Sequence, residues 1–161
     1  MVILLMGVAG SGKTTVGRLL ADELHWSFAD ADDFHPPANI AKMAAGQPLD
    51  DADRAPWLAT IRAQIDRELT VGRDAVVTCS ALKQKYREQL RPDPQRVKLV
   101  YLTGARELLL TRLRQRPGHF MKPAMLDSQL ATLEPPVDAL TLDVAATPAA
   151  LVSQIRATLG V

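Results

Sequence analysis

Cysteine is almost missing from this chain of 161 residues, and aromatic side chains make up only 4% of it. The one cysteine, Cys79, has no mate for an internal disulfide and sits in an apolar run, which suits a reducing compartment. An excess of either charge is missing too. The 19 Lys and Arg residues against 18 Asp and Glu leave +1, which removes the electrostatic basis for a nucleic-acid or membrane-surface binder. No apolar run reaches the ~18 residues that a membrane span needs. The apolar opening, Met1 to Met6, lacks a basic flank and an Ala-x-Ala-like cleavage site and runs straight into glycines. It reads as a first strand and not as a signal peptide, so the expected location is cytoplasmic.

What the chain has is alternation. Val2 to Met6 is short, unbroken and apolar, as a parallel strand covered on both faces should be. Lys13 to Leu24 follows with Val16, Leu19, Leu20 and Leu24 at helical spacing, then a short strand over Trp26 to Ala29. Ala38 to Ala45 reads as a short helix closed by Gly46, and Asp53 to Leu69 as a longer one with Trp57, Ile61, Ile65 and Leu69 on one face. Strands are expected over Ala75 to Cys79, Val97 to Leu102 and Leu140 to Val144. Helices are expected over Lys83 to Leu90, Glu107 to Arg114 and Leu126 to Leu133. A closing helix opens at Pro148 behind the N-cap Thr147. Strand and helix in turn make a doubly wound α/β sheet, with no linker or repeat to divide it.

The strongest signal is Gly7-Val8-Ala9-Gly10-Ser11-Gly12-Lys13-Thr14, which satisfies G-x-x-x-x-G-K-[ST] between a strand and a helix. Average residue usage produces this string by accident in on the order of one in a few hundred chains of this length. Glycines let successive backbone N–H groups wrap an anion, and the helix points its positive end at it. Lys13 can reach the terminal phosphates and the Thr14 hydroxyl can ligate Mg²⁺. All eight residues, Gly7 to Thr14, are therefore candidates for holding a nucleoside triphosphate.

Absences narrow the class. The only asparagine is Asn39, followed by Ile40, so there is no Asn-Lys-x-Asp guanine reader. The central apolar strand ends Cys79-Ser80, without the acid of a motor or large ATPase. Small phosphotransferases remain. After the second strand come Asp30-Ala31-Asp32-Asp33 and then Phe34-His35-Pro36. On extended backbone, Asp30 and Asp32 point to one side, one to hold Mg²⁺-bound water and the other to accept a hydrogen bond from the hydroxyl being phosphorylated. Asp32 is preferred over Asp33 for that second role. Arg112-Leu113-Arg114-Gln115-Arg116-Pro117-Gly118-His119-Phe120 has the character of a mobile lid. Arg116 is expected on the transferring phosphoryl group and Arg112 on adenine.

These strings, taken together, resemble the gluconate kinases of the shikimate-kinase-like P-loop group. The likeness runs through Gly7 to Thr14, Asp30-x-Asp32 with His35-Pro36, Asn39-Ile40-x-Lys42-Met43, Gly46-x-Pro48-Leu49 and Asp51-x-Asp53-Arg54-x-Pro56-Trp57-Leu58. It continues through Cys79-Ser80-Ala81-Leu82-Lys83 with Tyr86-Arg87, the Arg112 to Phe120 region, and Ser128-Gln129-x-x-x-Leu133-Glu134-x-Pro136. Ala9, where many relatives carry Ser, is a mild departure. The resemblance implies ATP- and Mg²⁺-dependent phosphorylation of D-gluconate at its 6-hydroxyl. It also implies a three-layer α/β/α domain over residues 1–161 with a five-stranded parallel sheet in order 2-3-1-4-5, a lid near 116–127, and a homodimer.

A sugar-acid acceptor fits the remaining side chains. Its carboxylate calls for a cation, for which Arg54, Lys83 and Arg87 are candidates, and its hydroxyls for partners such as His35 and His119. Thr14 and Asp30 are the metal-side candidates. His25 reads as surface, and Trp57 and Cys79 as packing. Lys13, Arg116 and Asp32 form the catalytic set. Two other readings stay open: a kinase for shikimate or another polyol acid, and a non-catalytic ATP-binding sensor.

Overall fold

The computed structural model describes residues 1–115 and 124–161. In chain order it builds β1 (Val2–Met6), α1 (Lys13–Leu24), β2 (Ser27–Asp30), a 3-10 turn (Ala31–Phe34), α2 (Pro37–Ala44), α3 (Asp51–Val71) and β3 (Ala75–Cys79). There follow α4 (Gln84–Leu90), β4 (Val97–Thr103), α5 (Arg106–Gln115), α6 (Ala124–Thr132), β5 (Leu140–Asp143) and α7 (Pro148–Leu159). The sheet is parallel throughout in the order β2-β3-β1-β4-β5, as the resemblance implied. β1 lies at its centre, with Met6 opposite Cys79 of β3 and Tyr101 of β4.

Every residue of β1 and β3 is buried, because helices cover both faces of the sheet and alternate side chains feed two cores. Ile3 and Leu5 join Val16 and Leu20 of α1, Leu109 and Leu113 of α5, and Leu151 and Ile155 of α7. Val2, Leu4 and Met6 point the other way, into Trp57, Ile61, Ile65 and Leu69 of α3 and Tyr86 and Leu90 of α4. The four-residue spacing in α3 is thus the stripe that buries it. Truncating a fully buried leucine such as Leu5 to alanine costs about 2–5 kcal/mol in packed cores of this kind.

Element ends are set by local chemistry. α3 starts two residues before the expected Asp53, because Asp50 and Asp53 form a capping box: Asp53 N–H donates to Asp50 Oδ1 at 2.8 Å and Asp50 N–H to Asp53 Oδ2 at 2.9 Å. β2 starts at Ser27 and not Trp26, since Trp26 N–H closes α1 onto Ala21 O at 2.9 Å around a left-handed His25. Gly46 closes α2 as expected, with Gln47 N–H reaching Lys42 O at 3.0 Å. Thr147 caps α7, its hydroxyl accepting from Ala150 N–H. No helix among the described residues is long and apolar enough to cross a membrane.

Gly17 lets α1 approach the sheet closely. A Cβ there would lie 2.7 Å from Thr78 Cγ2 and 2.9 Å from Phe28 Cε2. Gly17→Ala sets a helix-propensity gain of about 1 kcal/mol against an overpacking cost of about 1–3 kcal/mol. The expected result is a lower denaturation midpoint in urea, and an unchanged or raised midpoint would show that α1 can lift off the sheet freely.

Candidate active site

The loop after β1 is shaped by two backbone approaches. A Cβ on Gly7 would lie 2.5 Å from Leu102 O of β4, and one on Gly10, at φ 80, would lie 2.7 Å from Leu109 O of α5. Side chains at either position would push the loop off these carbonyls. α1 begins at Lys13 with no side-chain cap on its first amides, which leaves them for an anion. The Lys13 ammonium folds over the loop and donates to Val8 O at 3.1 Å.

The acids after β2 divide their work, and their geometry corrects one expectation. Asp30 and Asp32 do not share an extended segment. β2 ends at Asp30 because its own carboxylate caps the turn that follows, Oδ1 accepting Asp32 N–H at 3.1 Å. The turn carries Asp32 into the cleft and leaves Asp33 exposed. The other Asp30 oxygen, Oδ2, accepts the Thr14 hydroxyl at 2.6 Å. Among the described residues no group of three or more His, Cys, Asp or Glu side chains could hold a metal. Thr14 and Asp30 instead offer one hydroxyl and one carboxylate at the mouth of an anion site. This is the sparse hard-oxygen donor set that suits Mg²⁺ shared with phosphates.

One cleft brings the candidates together. Ala9, Gly10, Gly12, Lys13, Thr14 and Thr15 form one wall; Asp32, His35, Arg54 and Trp57 form the facing one; Met43, Leu49, Ser80, Met125 and Gln129 close it. His35 stacks on Trp57 with ring centroids 4.2 Å apart and planes 11° off parallel. The Trp57 indole donates to Ala31 O at 2.7 Å, so Trp57 is both core and the bed for His35. Burial, followed by the nearby Arg54 charge, lowers the His35 pKa to about 4, which keeps the ring neutral at pH 7. Arg54 is aimed by a relay. Lys83, at 2.9 Å, together with Lys85 and the Tyr86 hydroxyl, donates to Asp51, and the Tyr86 oxygen accepts from Arg54 Nη1 at 3.3 Å. These donors hold the Asp51 carboxyl far below its ordinary pKa.

Two expected cations do not line the cleft. Lys83 is engaged with Asp51 as just described. Arg87, 6% exposed, donates to Ala81 O at 3.1 Å and Leu82 O at 3.0 Å. It props up a buried loop in which Ala81 holds a left-handed φ of 44. Its guanidinium is spent on these main-chain carbonyls, with the Glu134 N–H adding a second donor to Leu82 O at 2.9 Å. Arg112 lies across the phosphate loop, in a groove with Gly12, Thr15 and Arg18, and its guanidinium is fixed by Val144 O at 2.6 Å. Arg116 and His119 lie outside the described residues, as does 116–123 of the expected lid. Residues 124–127 of that range form the first turn of α6, with Met125 and Leu126 buried. Cys79 is packing, as expected, since burial pushes its thiol up to about 12.

Sequence reasoning missed Asn39, Ser80, Tyr86 and Gln129 as parts of the site. Gln129 Oε1 accepts Ala9 N–H at 2.7 Å, joining α6 to the phosphate loop. Asn39, 5% exposed, donates from Nδ2 to Asp53 O at 2.9 Å. All four fall inside strings that carry the resemblance, which was the available signal.

The family model described as shikimate kinase matches residues 9–136. A gluconokinase of Gluconobacter oxydans is 52% identical over 136 residues, covering 84% of this chain and 76% of that one. The crystal structure of a sugar kinase from Janibacter is 42% identical with a TM-score of 0.91, covering 99% of this chain and 94% of its own. That of a gluconokinase from Sinorhizobium meliloti is 43% identical with a TM-score of 0.85, covering 98% and 90%. With a nucleotide-type phosphate loop on a 2-3-1-4-5 sheet and relatives this near, the chain belongs to the shikimate kinase family and, within it, groups with the gluconokinases.

Proposed function

We propose that the chain is an ATP-dependent gluconokinase, moving the terminal phosphoryl group of ATP to the 6-hydroxyl of D-gluconate and releasing 6-phospho-D-gluconate and ADP. The observation that carries this reading is the single cleft in which Lys13 and Thr14 face Asp32, His35 and Arg54. A protein that only sensed nucleotide would have no use for the second wall. The acceptor comes from the relatives named gluconokinase.

Phosphoryl transfer asks for positioning and charge stabilisation more than covalent work. Lys13 and the uncapped amides at the start of α1 hold the phosphates, the Ala9 N–H being taken by Gln129, and Arg112 and the groove beside it take the base. Thr14 and Asp30 are the residues to hold Mg²⁺, which supplies charge neutralisation on the phosphate oxygens. Asp32 accepts the hydrogen bond of the 6-hydroxyl and aims its oxygen at the terminal phosphorus. As that O–P bond forms and the bond to the ADP oxygen breaks, the hydroxyl proton passes to Asp32 and on to water. Arg54 grips the gluconate carboxylate, and His35 binds a hydroxyl. Lys83 acts through Asp51 and Tyr86 to aim Arg54. Arg116 on the phosphoryl group and His119 on the sugar acid complete the reading, in a lid near 116–127 of one domain spanning 1–161. A cytoplasmic homodimer goes with it, on the strength of the family resemblance and the lone buried Cys79.

Asp32→Asn keeps the shape and removes the base. Its kcat with gluconate should fall about 100- to 10,000-fold with an unchanged melting temperature, and near-full turnover would reject the assignment. Arg54→Gln should raise KM for gluconate about 10- to 100-fold, the worth of a charge-assisted hydrogen bond, and leave KM for ATP in place. An equal rise in both constants would take Arg54 off the acceptor carboxylate.

A further inference from the structure

In the cleft His35 is contacted by Trp57, Asn39 and Asp32, and these contacts bear on where its proton sits. Behind the ring, Asn39 Nδ2 lies 2.9 Å from Asp53 O and 3.4 Å from His35 Nδ1. A main-chain carbonyl only accepts, so the Asn39 group facing Asp53 O is the NH₂ and not the amide oxygen. That same NH₂ has a second hydrogen and no lone pair to offer, so the His35 nitrogen it faces is an acceptor. A neutral imidazole that accepts at Nδ1 carries its hydrogen on Nε2. His35 Nε2 is the atom 4.0 Å from Asp32 Oδ1.

Contacts from α2 and α3 frame this pair. Asn39 stands in the first turn of α2, its own N–H bonded to Pro36 O at 2.9 Å. Lys42, one turn on, pairs with Asp53 at 2.5 Å and ties α2 to the first turn of α3. Trp57 holds the ring plane from α3, and the His35 side chain is 5% exposed. The charged groups that face the ring are Asp32 from the 3-10 turn and Arg54 from α3.

We infer that Asn39 is a positioning residue that locks His35 as its Nε2–H tautomer, so that the acceptor site presents a neutral donor beside the Asp32 carboxylate. A hydroxyl satisfies both groups at once: its O–H donates to Asp32 and one lone pair receives His35 Nε2–H. The second lone pair of that oxygen is then the one left for phosphorus. An ammonium in the same place has no lone pair for His35, so the pair selects an alcohol over a protonated amine. The ring also stays uncharged near neutral pH, as its burial requires. This inference deepens the gluconokinase reading and rests on it for the identity of the hydroxyl, whereas the tautomer itself is a property of the protein without any substrate.

The test is long-range ¹H–¹⁵N NMR on the full chain labelled in histidine, at pH 7.5 and without ligand, with the His35 signals identified by their loss in His35→Gln. The expected spectrum has a protonated Nε2 and a bare Nδ1 at His35. Protonated Nδ1 in the wild-type chain overturns the inference, and so does a fast mixture of both tautomers. Asn39→Asp replaces the donor with an acceptor of the same shape and should move the proton to Nδ1. kcat with gluconate should drop about 10- to 100-fold with little change in KM for ATP. An Asn39→Asp enzyme with the Nδ1–H form and full turnover also overturns it. Should that variant fail to fold, the wild-type spectrum and Asn39→Ser, which should show a mixed tautomer and a smaller drop, decide the matter. A wild-type Nε2–H spectrum in a chain inactive on gluconate would place the error in the acceptor's identity and not in the lock.

Discussion

The Asp30 carboxylate divides its two oxygens between the halves of the cleft: Oδ2 takes the Thr14 hydroxyl at 2.6 Å, and Oδ1 takes the Asp32 amide at 3.1 Å. The first bond anchors the start of α1, where phosphate is held; the second sets the turn that swings Asp32 toward it. Asp30 is fixed in turn by its place at the end of β2, opposite Thr78 of β3, so a buried strand end sets the spacing between donor and acceptor walls. Hydrogen bonds to a charged group contribute about 1.5–3 kcal/mol each and cost more when a buried charge is left unpaired. That makes this carboxylate the point on which the arrangement of the site depends.

Around that point, charged residues act mostly through others. Asp51 collects Lys83, Lys85 and Tyr86, and Tyr86 steadies Arg54. Arg87 and the Glu134 backbone N–H, the latter at 2.9 Å from Leu82 O, hold the loop beyond β3 in which Ala81 is left-handed. Ser80 enters the cleft from the start of that loop. A left-handed non-glycine residue persists where its surroundings over-determine it, and such places gather at functional sites. Inside the cleft burial tunes His35, which it keeps neutral.

The sheet was legible in the sequence because its strands are unbroken apolar runs and the phosphate loop is a narrow string. β3 matches the expected Ala75–Cys79 throughout, and α1 the expected Lys13–Leu24. The strand order rested on the resemblance, since periodicity does not specify which strands pair. Asp32 over Asp33 was readable from position; the 3-10 turn that separates Asp30 from Asp32 was not, because a carboxylate capping its own following turn leaves no periodic trace. Cations were the weakest part of the reading. The helix bearing Lys83 and Arg87 showed that charges were present but not whether they faced sugar acid, a neighbouring carboxylate or buried carbonyls, which only tertiary packing decides. Asn39 was visible as a lone asparagine, yet its meaning lies in the two acceptors it faces at once, and these come from different elements.

The central claim is that nucleotide phosphates and an alcohol meet in one cleft. It is tested most directly by ADP release from the wild-type chain with Mg²⁺ and ATP, offered D-gluconate, shikimate and a panel of other sugar acids in turn, with ³¹P NMR of the product. The account predicts ADP release that requires gluconate, with phosphorus coupled to the protons on carbon 6. A chain that binds ATP tightly but yields no acceptor-dependent ADP with any of them would contradict it.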